Sequence, residues 1–105
     1  MYDELFYLNE LKNFLDGSGS LTGYPTKFRL KMISLFYLAS KFKQGVQYSE
    51  KEVNATLKQW HTFGDWCMLR RDLFDRRFFD RTQNCAVYWL AEPQPVLADF
   101  GLAAL

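Results

Sequence analysis

The stretch Ser49-Glu50-Lys51-Glu52 restricts this chain more than any other. A serine followed three residues later by glutamate can satisfy two free N–H groups reciprocally, so a helix is expected to begin at Glu50. Val53, Leu57 and Trp60 then recur about one turn apart and share a face, with Lys51, Asn54 and Lys58 turned elsewhere. Thr62-Phe63-Gly64-Asp65 ends that helix and starts another, because Gly64 accepts a left-handed backbone and Asp65 is a favoured N-cap for Trp66 onward. The second helix runs through Leu69, Leu73 and Phe74 to about Arg77. Two helices joined by a tight turn containing glycine make a helix-turn-helix.

The next segments narrow the fold further. Phe78-Phe79-Asp80-Arg81-Thr82 and Ala86-Val87-Tyr88-Trp89-Leu90 are rich in β-formers and flank Gln83-Asn84-Cys85, a hairpin linker. Val46-Gln47-Tyr48, ahead of the first of the two helices, is short, alternating and β-favouring. The expected fold is mainly α with a small β-hairpin: a winged helix-turn-helix preceded by an extra N-terminal helix.

Tyr2 to Leu15 reads as that extra helix, apolar around most of its circumference, which requires a cover on more than one side. A second copy of the chain would supply it, as would packing within the monomer. Asp16-Gly17-Ser18-Gly19-Ser20 and Gly23-Tyr24-Pro25 then have the composition of a mobile loop without the spacing of a phosphate cradle. From Thr26 a further helix, capped by Thr26 or its neighbours, carries Phe28, Met32, Ile33, Leu35, Phe36 and Phe42 toward Gly45. Past residue 91, Pro93-Gln94-Pro95 cannot continue a strand, and the small apolar ending is either docked or frayed. At 105 residues the chain is expected to be one domain: helix and loop over 1–23, winged-helix core over 24–91, tail over 92–105.

Several function classes fit poorly. No apolar run is long enough to span a bilayer, and the start MYDELF lacks a secretory pattern, so no membrane association and a cytoplasmic location are expected. Cys67, Cys85 and His61 are too few and too scattered for a zinc site, so neither metal nor cofactor is expected; a redox-sensing Cys67 near a helix start is the alternative use of a thiol. Asp72, Asp75 and Asp80 are interleaved with arginines, and no motif combines nucleophile, base and orienting acid, so the chain is expected not to be an enzyme. Net charge is only +1, yet Lys27, Arg29, Lys31, Lys41 and Lys43 fall in residues 26–45 without one acid among them. Such segregation points to an anionic partner or to a solvated helix face.

Tyr48-Ser49-Glu50-Lys51-Glu52-Val53-Asn54, His61-Thr62-Phe63-Gly64-Asp65, Leu69-Arg70-Arg71 and Tyr88-Trp89-Leu90 occur in the order found in a known family. Over about residues 24 to 91 the chain resembles the bacterial domain of unknown function 2087. The resemblance implies a domain found alone or attached to transcriptional regulators, with no established activity. This sequence departs from the family where a glycine is expected: Arg77 follows the helix, and Asn84-Cys85 occupies the hairpin turn.

In a helix-turn-helix the second helix reads the major groove. The expected DNA contacts are Arg71 and Arg76 on that helix, Arg81, Gln83 and Asn84 on the hairpin, and Lys27, Arg29 and Lys31 upstream. Arg70 lies close to the apolar sector and is either a structural ion-pair partner or a contact. Asp72 and Asp75 nearly balance the exposed face, so DNA binding would call for a dimer that doubles the basic segment. The competing expectation is a protein interaction module on the same scaffold, using aromatics exposed around Tyr2, Phe6, Tyr7 or Trp66, since an aromatic content of 18% exceeds what so small a core readily hides.

Overall fold

The capping box closes as its spacing requires. Glu52 N–H donates to Ser49 Oγ at 3.1 Å, and Ser49 N–H donates to Glu52 Oε1 at 2.8 Å. In the computed structural model, which describes residues 2–102, this box opens the third of four α-helices. They are α1 (Glu4–Glu10), α2 (Phe28–Ala39), α3 (Glu50–Trp60) and α4 (Trp66–Asp75). Three short strands, β1 (Tyr48–Ser49), β2 (Phe79–Arg81) and β3 (Val87–Leu90), and a terminal 3-10 turn over Leu97–Phe100 complete the chain.

The fold is mixed α/β where mainly α with a two-stranded hairpin was expected. β3 pairs antiparallel with both β2 and β1, giving the order β1-β3-β2, with Tyr48 opposite Tyr88 and Phe79 opposite Leu90. The β-favouring residues before α3 therefore serve as a third strand. A two-residue strand is too short to stand alone, and it holds because β3 offers it a second edge.

α2 is the centre of the core, with every residue from Met32 to Ala39 buried. This buried stretch has no solvent face to be amphipathic about, and the hydroxyl of Ser34 within it is absorbed by the Leu30 carbonyl at 2.8 Å. The N-cap of α2 is Lys27, one of the neighbours of Thr26 expected there, and it makes no side-chain cap bond. The helix stops at Ser40; Gly45, at φ 79°, belongs to the following turn.

The N-terminal segment departs most from expectation. The helix is confined to Glu4–Glu10, capped by Asp3, while Phe14 and Leu15 lie beyond it and Leu15 bridges Leu21. Shortening lets both ends of the segment fold inward: Tyr7 and Leu11 are buried, and Tyr2, Phe6, Phe14 and Leu15 pack against the core. Leu5 and Leu8 are the exposed apolar residues of α1. The glycine- and serine-rich loop is pinned despite its composition. Asp16 Oδ1 accepts from Ser18 N–H, Ser18 Oγ and Ser20 N–H, and these bonds hold its carboxyl below the ordinary carboxylate range, the Ser18 hydroxyl foremost. Tyr37 Oη donates to the Gly19 carbonyl at 2.6 Å, and Leu21 is fully buried.

The aromatic surplus is absorbed by mutual packing. Phe36 meets Phe78 edge-on at 4.8 Å, and Phe42 meets Phe79 likewise at 4.9 Å. The exposed aromatic patch expected around Tyr2, Phe6, Tyr7 or Trp66 is not formed: Tyr7 is buried, the other three are half-buried, and Phe28 is the exposed aromatic among the described residues. The tail docks through residue 102. Leu97 is buried, its N–H donates to Tyr2 Oη, and Gln94 Nε2 donates to the Phe78 and Ala91 carbonyls at 2.8 Å. The remainder of the tail expected over 92–105 lies outside the described residues.

Candidate nucleic-acid interface

α4 is placed by its two neighbours, and this placement decides which of its side chains are available. Asp65 Oδ1 accepts from Met68 N–H, Leu69 and Leu73 are fully buried, and Arg70 reaches back to α3. The Arg70 guanidinium lies 3.2 Å from Glu50 and donates to Asn54 Oδ1, with its side chain only 17% exposed. Arg70 is therefore a fastener between the helices, which settles the choice left open by the sequence.

The outward face carries Cys67, Arg71 and Asp75. Arg71 is 82% exposed and lies 3.8 Å from Asp75 one turn on, a pairing that solvent makes weak. Asp72, expected beside them, is half-buried and occupied: it accepts from Tyr24 Oη at 2.7 Å. Burial first, and then this bond to a carboxylate, push the Tyr24 phenol well above its ordinary range and keep it a donor.

The Tyr24 contact draws the start of α2 against α4. Lys31 stands over the Tyr24 ring at 5.0 Å, and the Arg76 guanidinium over Phe28 at 5.4 Å. Lys27 is exposed at the α2 N-cap beside them. On the other flank Arg81 lies over Phe74 at 3.9 Å. In each pair the cationic group itself sits against a ring face, a use of basic residues that spacing does not disclose. At the hairpin tip Asn84 Oδ1 accepts from Thr82 Oγ1 and from Ala86 N–H, while Gln83 is exposed. Arg29 stands apart from the rest, 3.0 Å from Glu10. The structure thus brings Lys27, Lys31 and Arg76 to one side of α4 and Arg81 to the other.

Both positions at which the sequence lacks an expected glycine adopt the left-handed backbone: Arg77 at φ 70° and Cys85 at φ 60°. A Cβ there is strained by about 1–2 kcal/mol, partly offset by the greater entropy loss of glycine on folding. Arg77→Gly is expected to stabilise the protein by roughly 0.5–1 kcal/mol in urea denaturation; an unchanged or lower midpoint would contradict this account of the turn.

His61 is committed to the backbone around it. It is buried, with Nδ1 on the Leu57 carbonyl and Nε2 accepting from Asp65 N–H at 3.1 Å. These partners dictate the tautomer, with the proton on Nδ1. Its position just after the last apolar residue of the α3 face is the sequence signal that could have identified it. Among the described residues no group of three His, Cys, Asp or Glu side chains is arranged to hold a metal, and no helix is long and apolar enough to cross a membrane.

The arrangement defines a class: a small mixed α/β domain in which two consecutive helices and a three-stranded antiparallel sheet flank one outward helix face. More particularly, the chain belongs to a bacterial family described as an uncharacterized protein conserved in bacteria (DUF2087), whose model matches residues 20–90. The match includes every element except α1 and the C-terminal 3-10 turn. No curated protein and no solved structure matches the chain.

Proposed function

We propose that this chain is a DNA-binding transcriptional regulator of winged-helix type that acts in the cytoplasm as a dimer. The observation that carries the reading is topological: β1, which enters α3, pairs with β3 of the hairpin that leaves α4. That pairing locks a helix-turn-helix to its hairpin as one rigid unit, the arrangement that lets a second helix and a wing meet DNA together. α4 is then the recognition helix. Arg71 reads a base edge, released from Asp75 at small cost because their ion pair is exposed. Arg76, Lys27 and Lys31 meet phosphates on one flank, and Arg81, Gln83 and Asn84 meet them on the other. Arg29 contributes charge near the α2 end while engaged with Glu10. Leu5 and Leu8, 65% and 43% exposed on α1, are the seam of the dimer. Catalysis is no part of this reading, since the single imidazole is committed to two backbone partners.

Fluorescence anisotropy with fragments from upstream of the gene tests the proposal. Affinity is expected to fall log-linearly as salt rises from roughly 50 to 200 mM. The double variant Arg71→Ala, Arg76→Ala is expected to bind at least ~10-fold more weakly, one base contact being worth about 1–3 kcal/mol. Absence of salt-sensitive binding by the unaltered protein would overturn the reading.

A protein interaction module on the same scaffold is the second reading. It is favoured by the charge balance of the α4 face, where Arg71 and Asp75 compensate each other. The absence of an exposed cluster around Tyr2, Phe6, Tyr7 and Trp66 weighs against it.

A further inference from the structure

The family-matched region and the two segments that flank it meet at a cavity of about 300 Å³. Phe36, Ala39 and Ser40 of α2 and Leu90 of β3 form the wall within residues 20–90. Tyr2 and Tyr7 at the N-terminal end and Gln94, Pro95 and Val96 at the other complete the lining. Among the described residues no lining side chain is charged, so they offer nothing to neutralise an ion.

Tyr7 is the informative residue. Its side chain is 98% buried, being 2% exposed, yet its hydroxyl has no hydrogen-bond partner among the described residues. A buried phenol ordinarily finds a partner. Among the described residues no fully buried side-chain oxygen lacks a bond, so this hydroxyl keeps some solvent contact, and Tyr7 is one of the residues that line the cavity. Burial, and then the neighbouring Tyr2, Glu4 and Asp3, push this phenol above its ordinary range, so it stands ready as a donor. Tyr2 is already fixed beside it: its ring meets Phe36 edge-on at 5.2 Å, and its oxygen accepts from Leu97 N–H.

We propose that this cavity is a binding site for a small uncharged ring compound bearing one acceptor oxygen, such as an aromatic ketone, held by the Tyr7 hydroxyl with its ring among Phe36, Ala39, Leu90 and Val96. The size agrees: a dry apolar cavity of on the order of 150 Å³ takes benzene, and this one leaves room for a substituent. The occupant joins both terminal segments to α2 and β3, so binding is linked to the docking of α1 and the tail. This site stands independently of DNA binding, because none of its lining residues belongs to the α4 face or the hairpin tip.

Acetophenone and ethylbenzene serve as matched probes, with and without the carbonyl, titrated into the full chain and followed by amide chemical shifts in two-dimensional NMR. Acetophenone is expected to shift the amides of Tyr7, Ala39, Ser40 and Val96 in a saturable way. Tyr7→Phe, which keeps the ring and its packing, is expected to weaken acetophenone by about threefold to tenfold and to leave ethylbenzene unchanged. Ala39→Met, which fills the space, is expected to abolish both titrations while the rest of the spectrum keeps its dispersion. The proposal is overturned by the absence of saturable shifts at these amides, by equal acetophenone affinity in Tyr7→Phe, or by binding that survives in a folded Ala39→Met protein. Should Ala39→Met fail to fold, the Tyr7→Phe comparison decides alone.

Discussion

Phe78→Ala is expected to cost about 3–5 kcal/mol of folding stability. Phe78 is fully buried where four parts of the chain converge. Its ring meets Phe36 of α2 edge-on at 4.8 Å and lies nearly parallel to Phe100 of the terminal turn at 6.0 Å. Its N–H donates to the Leu73 carbonyl at the end of α4, and its own carbonyl accepts from Ala91 N–H beyond β3 and from Gln94 Nε2. The backbone bonds survive the substitution, but the ring leaves a void that α2, the sheet and the tail cannot all close. Domains of this size have about 5–15 kcal/mol in hand, so the loss takes a large share of it. Equilibrium urea denaturation measures the effect, with Phe78→Leu as a control expected to lose less. A loss below ~1.5 kcal/mol for alanine would show that the ring does not join the layers.

His61→Leu is expected to cost about 2–4 kcal/mol although leucine fills much of the same space, because two backbone groups lose their partner. The Leu57 carbonyl closes the last turn of α3, and Asp65 N–H belongs to the residue that caps α4. The backbone flanking His61 docks the N-terminal loop: Leu21 N–H donates to the Trp60 carbonyl, and Thr62 N–H donates to the Leu21 carbonyl. The imidazole therefore ties the end of α3 to the residue that caps α4, and the backbone on either side of it holds Leu21. If the proposed DNA reading holds, affinity falls together with stability, since Arg71 and Arg76 depend on the direction of α4. The adjacent exposed Thr62→Ala, expected to stay within ~0.5 kcal/mol, supplies the comparison. A His61→Leu protein as stable as the Thr62→Ala protein would remove His61 from this role.

The two predictions fall on residues of different legibility. Phe78 belongs to a β-rich run that reads as core on hydrophobicity alone. His61 reads as an isolated polar residue, because its partners are backbone atoms and leave no trace in side-chain chemistry. Arg70, Tyr24 and Arg81 are hard to read for another reason, since their side-chain partners lie on other elements. Whether a polar side chain faces a partner or solvent is decided by an element packed against it from 16 residues away, as for Arg70 and Asn54, or from 48, as for Tyr24 and Asp72.

Local chemistry, by itself, determined the middle of this protein. The capping box at Ser49, the turn at Gly64-Asp65 and the β-rich runs either side of Asn84 each act within a few residues, so their boundaries could be read before any contact was known. Tertiary structure alone decided the rest. A helix-like pattern over Tyr2 to Leu15 is cut to seven residues because Phe14 and Leu15 gain more by turning inward against Leu21 than by extending the helix. A loop of glycine and serine is held because Asp16, Tyr37 and His61 happen to converge on it. A two-residue strand joins the sheet because β3 leaves an edge open beside it. Hydrophobic burial and cross-chain hydrogen bonds carry no sequence period, and they outweighed local preference wherever local preference was weak.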